Sequence, residues 1–296
     1  MTYSIMGHDP SNGDLGVAVQ SKFPNVGGLV PYGRATVGVL ATQAFANPRH
    51  GSIGLKLLRC GAEPRQVVDI LLQADTAHEQ RQFAVLDAEG RSASHTGAEV
   101  YEWDGWAGDR AGNHCLALGN GLAGGEVLDS MVCVFEDGTG TLSERLITAL
   151  AAGETAGGEL RGQQSAALLV LRENGGYGGL DDRHVAISIY DHRQPIDELE
   201  RCYEIHKLSY FPSDSTNLVA IGSELANELK QLMRERDFYR GPLDGRWESD
   251  AIRSMQMFMG WENYDNRIRD DDLIDTEVLA DMRARRERNC SSVRRQ

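Results

Sequence analysis

Between residues 3 and 190 the apolar residues keep two different periods, and the periods come in blocks. Tyr3 and Ile5 step against Ser4 and Met6 at the spacing of a strand, until turn residues at 9–14 break the run. Residues 15–21 resume it at once, the signature of a hairpin. A third run, 35–42, is rich in β-branched and small residues. The spacing then changes. Ile53, Leu57 and Leu58, followed by Val67, Val68, Ile70, Leu71 and Leu72, predict two helices, with Pro64 near the start of the second. Strand period returns at 82–87, 91–96 and 115–118, and helical period at 125–136 and 142–152. After a glycine-rich loop at 153–162, strand period resumes at 165–171 and 185–190. A doubly wound parallel sheet needs strands and helices to alternate. Grouped strands and grouped helices predict α+β layers.

The pattern shifts again near residue 207. Most of the 33 glycines fall in the first 180 residues, and beyond 207 charged residues crowd helical stripes such as Leu225, Leu229, Leu232, Met233 and Ile252, Met255, Phe258. The spacing predicts a first domain over 1–208, a linker at 209–215, a small all-α domain over 216–284, and a frayed basic tail at 285–296 in a terminal stretch that carries six arginines from Arg283 onward.

Charge removes one class of partner. Thirty Lys and Arg against 44 Asp and Glu leave a net charge of −14, which opposes binding to nucleic-acid phosphates. No apolar run is long enough to span a bilayer, and residues 1–10 have neither the basic segment nor the apolar core of a signal peptide. Five scattered cysteines without a C-x-x-C pair predict reduced thiols and a cytoplasmic protein. The histidines form no H-x-x-x-H or H-E-x-x-H pair, so no metal is expected. Gly119, Gly121 and Gly124 spell G-x-G-x-x-G, but no strand with an acidic residue follows the next helix. A turn whose amides hold an anion or oxyanion is the expectation there, and a dinucleotide cofactor is not.

Serine and cysteine signatures of nucleophilic catalysis are missing, which leaves the terminus. Once Met1 is removed, Thr2 opens the first strand with a free α-amine titrating near 8, able to act as base for its own hydroxyl. An edge-strand threonine with good β propensity looks the same in sequence.

Whole blocks then carry a resemblance: residues 2–5, Asp9, Pro10, Gly13, 15–23, Ala41, Thr42, Gln43, Asn47 and Pro48. Further blocks are Arg81, Gln82, Thr96, Gly97, Gly119, Asn120, Gly124, Gly157, Arg161, Gln164, Ser165 and 180–183. Over residues 2–205 the chain resembles domain-of-unknown-function family 1028. The resemblance implies an Ntn-hydrolase-like four-layer α-β-β-α sandwich and names no substrate. It implies Thr2 as nucleophile, Asn120 or the 119–124 amides as oxyanion hole, and Arg34 at the place of a third-strand lysine. Arg161 would take a substrate carboxylate, and Ser21, Gln43, Asn47 and Gln164 would line the same cleft. Residues 216–284 are similar to a helical peptidoglycan-binding domain, through Leu229, Leu232, Phe238, Tyr239, Gly241, Asp244, Gly245 and Trp247. Two readings stand: an N-terminal-nucleophile amide hydrolase acting on a peptide or cell-wall fragment, or a non-catalytic scaffold binding such a ligand. Neither calls for a cofactor or a membrane, and both are compatible with a homo-oligomer.

Overall fold

A computed structural model describes residues 1–293. The strands are β1 (Thr2–Asp9), β2 (Asp14–Ser21), β3 (Pro31–Arg34), β4 (Gly38–Ala44), β5 (Arg81–Asp87), β6 (Ser92–Thr96), β7 (Trp106–Gly112), β8 (Cys115–Leu122), β9 (Ser165–Leu171), β10 (Arg183–Ile189), β11 (Leu218–Ala220) and β12 (Leu273–Asp275). The helices are α1 (Pro48–Arg59), α2 (Pro64–Ala74), α3 (Glu126–Asp137), α4 (Leu142–Thr155), α5 (Pro195–Tyr210), α6 (Ser223–Arg234), α7 (Ser249–Trp261) and α8 (Thr276–Val293). The chain divides into two compact units, Met1–Cys202 and Tyr203–Gln296, so the division falls within α5.

In the first unit all pairing is antiparallel. One sheet runs β10-β9-β2-β1-β8-β7 and the other β3-β4-β5-β6. Period-two alternation decides what each face meets. Met6, Val17, Val19 and Leu118 from the larger sheet pack against Val39, Ala41, Ala84 and Leu86 from the smaller, forming the core between the sheets. Leu40, Phe83 and Val85 on the other face of the smaller sheet pack with Leu58 of α1 and Val67, Val68 and Leu71 of α2. On the outer face of the larger sheet, Gly7 and Gly16 let the helices close in. A Cβ at Gly7 would stand 2.6 Å from Phe135 of α3, and one at Gly16 2.5 Å from Leu146 of α4. The layers are therefore helix, sheet, sheet, helix.

Local chemistry sets the boundaries. Asp9 Oδ1 accepts from the Ser11 amide and hydroxyl, closing the β1–β2 turn. Asn47 caps α1 ahead of Pro48, and Glu63 with Gln66, and Thr141 with Glu144, form capping boxes on α2 and α4.

Several expectations need correction. Residues 35–37 form the turn before β4, and β3 and β7 carry too little apolar periodicity to read as strands. Gly119 to Leu122 continue strand β8, and α3 starts only at Glu126, so the glycine motif is not a strand-to-helix turn. The second unit is mainly helical but not all-α. β11 and β12 form a two-stranded ladder, three residues each and so too short to show a period. The basic stretch is not frayed through its first turns: it lies in α8, where Arg283 pairs with Glu228, Arg285 with Asp281 and Glu262, and Arg286 with Glu235. Residues 294–296 of the expected tail lie outside the described residues. No helix among those described is long and apolar enough to cross a membrane.

Candidate functional site

Register gathers polar side chains at one end of the first unit. Ser165, Ser21, Thr2 and Asn120 stand side by side across β9, β2, β1 and β8. They face the space between the sheets, because Met6, four residues along β1 from Thr2, lies in that core. Opposite them Gln43, Gln82 and Thr96 align across β4, β5 and β6.

The two rows meet in a buried network. Ser4 Oγ donates to Gln43 Oε1 at 2.6 Å, and Gln43 Nε2 donates to Gln82 Oε1 at 2.8 Å and to Thr2 O at 3.2 Å. Gln82 Nε2 donates to the carbonyls of Gly119 at 2.8 Å and Gly108 at 3.2 Å, and to Thr96 Oγ1 at 3.0 Å. Main-chain carbonyls only accept, so they fix which way both glutamines point. Gln82 Oε1 must then receive, and Asn120 Nδ2 donates to it at 2.8 Å. Asn120 Oδ1 is left buried with no donor. One amide hydrogen of Asn120 is thus spent inside the network, while its oxygen has no donor.

Thr2 is the edge of this plug. Its Oγ1 lies 2.9 Å from Ser21 Oγ. Both hydroxyls reach the Met1 carbonyl, at 2.5 and 2.8 Å, and Arg161 Nη2 donates to the same oxygen at 3.1 Å. Three donors on one peptide carbonyl polarise it strongly. The guanidinium is held from behind, its Nε donating at 2.6 Å to Glu159, whose other oxygen accepts from the Lys22 amide at 2.9 Å. While Met1 is in place, Arg161 is therefore engaged by its carbonyl and by a buried carboxylate.

Chain crossings place these two residues. Leu122 bridges to Glu159, the Leu160 amide donates to Gly121 O, and the Ala123 amide donates to Gly158 O, which ties residues 157–161 to the end of β8. Burial lowers the pKa of the Met1 amine, an effect that Glu159 opposes and Arg161 reinforces. Burial likewise raises that of the Glu159 carboxyl, against the Lys22 amide, the Met1 amine and Arg161.

Thr2, Ser21, Gln43, Asn120 and Arg161 are thus brought together, and three expected members are not. Arg34 pairs with Gly38 in the β3–β4 hairpin, five residues along β4 from Gln43, or about 17 Å at strand rise. It sits at the opposite end of the sheet. Asn47 caps α1 and donates to Asp75. Gln164 extends the pairing to Ser21 through its backbone, but its side chain goes to Asp191. Sequence reasoning overlooked Ser4, Gln82, Thr96 and Glu159. Gln82 and Thr96 belonged to the blocks that carried the resemblance, while Glu159 had no signal beyond its place between Gly158 and Arg161.

In the second unit, the residues of the expected ligand motif build a turn. Lys230, nearly buried, donates to Asp244 at 2.7 Å, the Gly245 amide donates to Asn227, and Tyr239 Oη donates to Pro242 O.

Residues 2–199 match the model described as "Family of unknown function (DUF1028)", and residues 212–282 that described as "Putative peptidoglycan binding domain". Among solved structures the chain is similar to protein SPO2555 from Silicibacter pomeroyi, itself assigned to DUF1028. The two share 33% identity with a TM-score of 0.63, over 70% of this chain and 86% of that one. No curated protein matches.

Proposed function

The chain belongs to DUF1028, a family of unknown function, and on that premise we propose that its first unit is an N-terminal-nucleophile amide hydrolase with Thr2 as nucleophile. The helix–sheet–sheet–helix order and a threonine opening a central strand support an Ntn-hydrolase-like sandwich. One observation carries the reading: the carbonyl beside the Thr2 hydroxyl is held by both Ser21 and Arg161.

Removal of Met1 frees the Thr2 amine and vacates that carbonyl position. The amine takes the hydroxyl proton as Oγ1 adds to a substrate amide carbon, and Ser21 and Arg161 stabilise the oxyanion. Collapse expels the amine, which leaves with the proton, and water then hydrolyses the Thr2 ester to restore the enzyme. A peptide amide fits this acyl-transfer chemistry, and the match of the second unit supports a cell-wall-derived fragment as its ligand. Scattered thiols favour a reducing, cytoplasmic setting.

One observation favours the scaffold reading instead: Met1 lies over Thr2, and while it stays the Thr2 nitrogen is an amide. The intact mass of the purified protein, with and without a hydroxyl-directed electrophile, decides. A chain beginning at Thr2 and labelled there supports the hydrolase. A chain that keeps Met1 and takes no label overturns it.

A further inference from the structure

Two donors besides Thr2 reach the Met1 carbonyl, and they come from distant parts of the chain. Ser21 Oγ, at the end of β2, donates at 2.8 Å, and Arg161 Nη2, on the loop between α4 and β9, donates at 3.1 Å. The Arg161 side chain is 44% exposed, so packing alone does not fix it. Glu159 does. Its Oε1 accepts from Arg161 Nε at 2.6 Å and stands 2.6 Å from Nη2. That edge of the guanidinium is thereby spent, which leaves the second Nη2 hydrogen for the carbonyl. The other oxygen, Oε2, accepts at 2.9 Å from the amide of Lys22, the residue after Ser21. One carboxylate therefore grips both donors, one through its guanidinium and the other through the adjoining peptide. Glu159 is itself anchored by its backbone bridge to Leu122, and its side chain is wholly shielded from solvent.

We infer that Glu159 is a positioning residue of the hydrolase, setting the spacing of the Ser21 and Arg161 donors around the oxyanion. The inference rests on the hydrolase reading and adds to it a side chain that never touches substrate. Donors stabilise a transition state best when they are in place before its charge develops. A guanidinium left to swing would lose its freedom at that moment, and the barrier would rise accordingly. Both donors bind the oxyanion more strongly than the ground-state carbonyl, so the effect belongs in kcat rather than KM. Glu159 takes part in no bond change. Its buried charge is tolerated because Arg161 and the Lys22 amide meet it, and these partners belong to the site itself.

The test uses the full chain beginning at Thr2, with the aminomethylcoumarin amides of alanine and N-acetylalanine. Glu159→Gln keeps the shape and an acceptor for the Lys22 amide, so it isolates the contact with Arg161. It should lower kcat about tenfold, and Arg161→Ala about a hundredfold, each with KM changed by less than about threefold. The double variant should be no slower than Arg161→Ala, because glutamate and arginine act as one unit. An unchanged kcat in Glu159→Gln, or effects that multiply in the double variant, overturns the inference and leaves the hydrolase reading intact. If neither amide is turned over, nuclear magnetic resonance of the chain that keeps Met1 decides, made by cell-free synthesis without methionine aminopeptidase. Met1 and Thr2 form its only Met-Thr pair, so labelling methionine carbonyls and threonine nitrogens isolates a single carbonyl signal. Glu159→Gln and Arg161→Ala should both move that signal upfield, the double variant no further than Arg161→Ala. A signal that Glu159→Gln leaves in place means that the carboxylate positions nothing, and the inference falls.

Discussion

At the scale of single residues, two side chains separate chemistry from architecture. Thr2 is nearly buried, and its hydroxyl neighbours Ser21. Thr2→Ala should cost about 1 kcal/mol of stability, one hydrogen bond, yet abolish turnover; Thr2→Ser should keep it, since hydroxyl and amine both survive. Urea unfolding and amide hydrolysis of both variants check this, and an active alanine variant would remove Thr2 from the mechanism. Gln82 is the opposite case. Its amide satisfies two carbonyls and two neighbouring amides inside a fully buried plug. Gln82→Leu orphans several of them at once and should cost roughly 2–4 kcal/mol, at about 1–3 kcal/mol per unpaired buried group before relaxation. A shift of the urea midpoint that small surface changes produce would show that the network adds nothing. Gln82 illustrates what a sequence hides: glutamine inside a strand reads as an outward polar residue, and only the register reveals that it points between the sheets.

Among elements, Asp75 joins three. It stands at the end of α2, accepts from Asn47 at the start of α1 and from Arg81 at the start of β5, and lies 3.0 Å from His50. Burial pushes its carboxyl up, but hydrogen bonds from Arg81, Asn47 and the Ala77 amide outweigh it and hold the pKa well below the ordinary value. The folded pKa is thus lower than the unfolded one, near 3.9, so the stabilisation is full above about pH 4 and lost as pH falls below it. Asp75→Asn should cost about 2–4 kcal/mol at pH 7 and markedly less near pH 2. Urea unfolding of both proteins at the two pH values tests this, and a pH-independent difference would mean the charge is irrelevant. The elements that were legible share a trait. The β1–β2 hairpin and helices α1, α2 and α4 announce themselves through turn and cap residues next to a sustained period. β3, β7, β11 and β12 have no such run, and Arg34 was misplaced because the return of its hairpin, not its position in the chain, decides at which end of the sheet it lies.

The whole molecule raises the question of where the second unit begins. The composition shift suggested 216, after a linker, whereas the division into compact units falls at Tyr203. Arg267 discriminates between them. It is 4% exposed, paired with Asp275 and Glu277, and it also donates from Nε to Phe211 O at 3.1 Å and from Nη2 to Lys207 O at 3.0 Å. Asn266 adds donations to the carbonyls of Ser209 and Tyr210. A polypeptide starting at 216 keeps the carboxylate partners but strips two acceptors from a buried guanidinium, each bond to a charged group being worth about 1.5–3 kcal/mol. We therefore expect residues 203–293 to unfold cooperatively and residues 216–293 to be less stable by about 3 kcal/mol or to remain partly unfolded. Arg267→Lys in the longer polypeptide should lose much of the same increment, because an ammonium cannot span all four partners in one plane. Matched urea transitions for the two polypeptides would place the boundary at 216 after all, and would reduce residues 203–215 to a tether that the helical unit does not need.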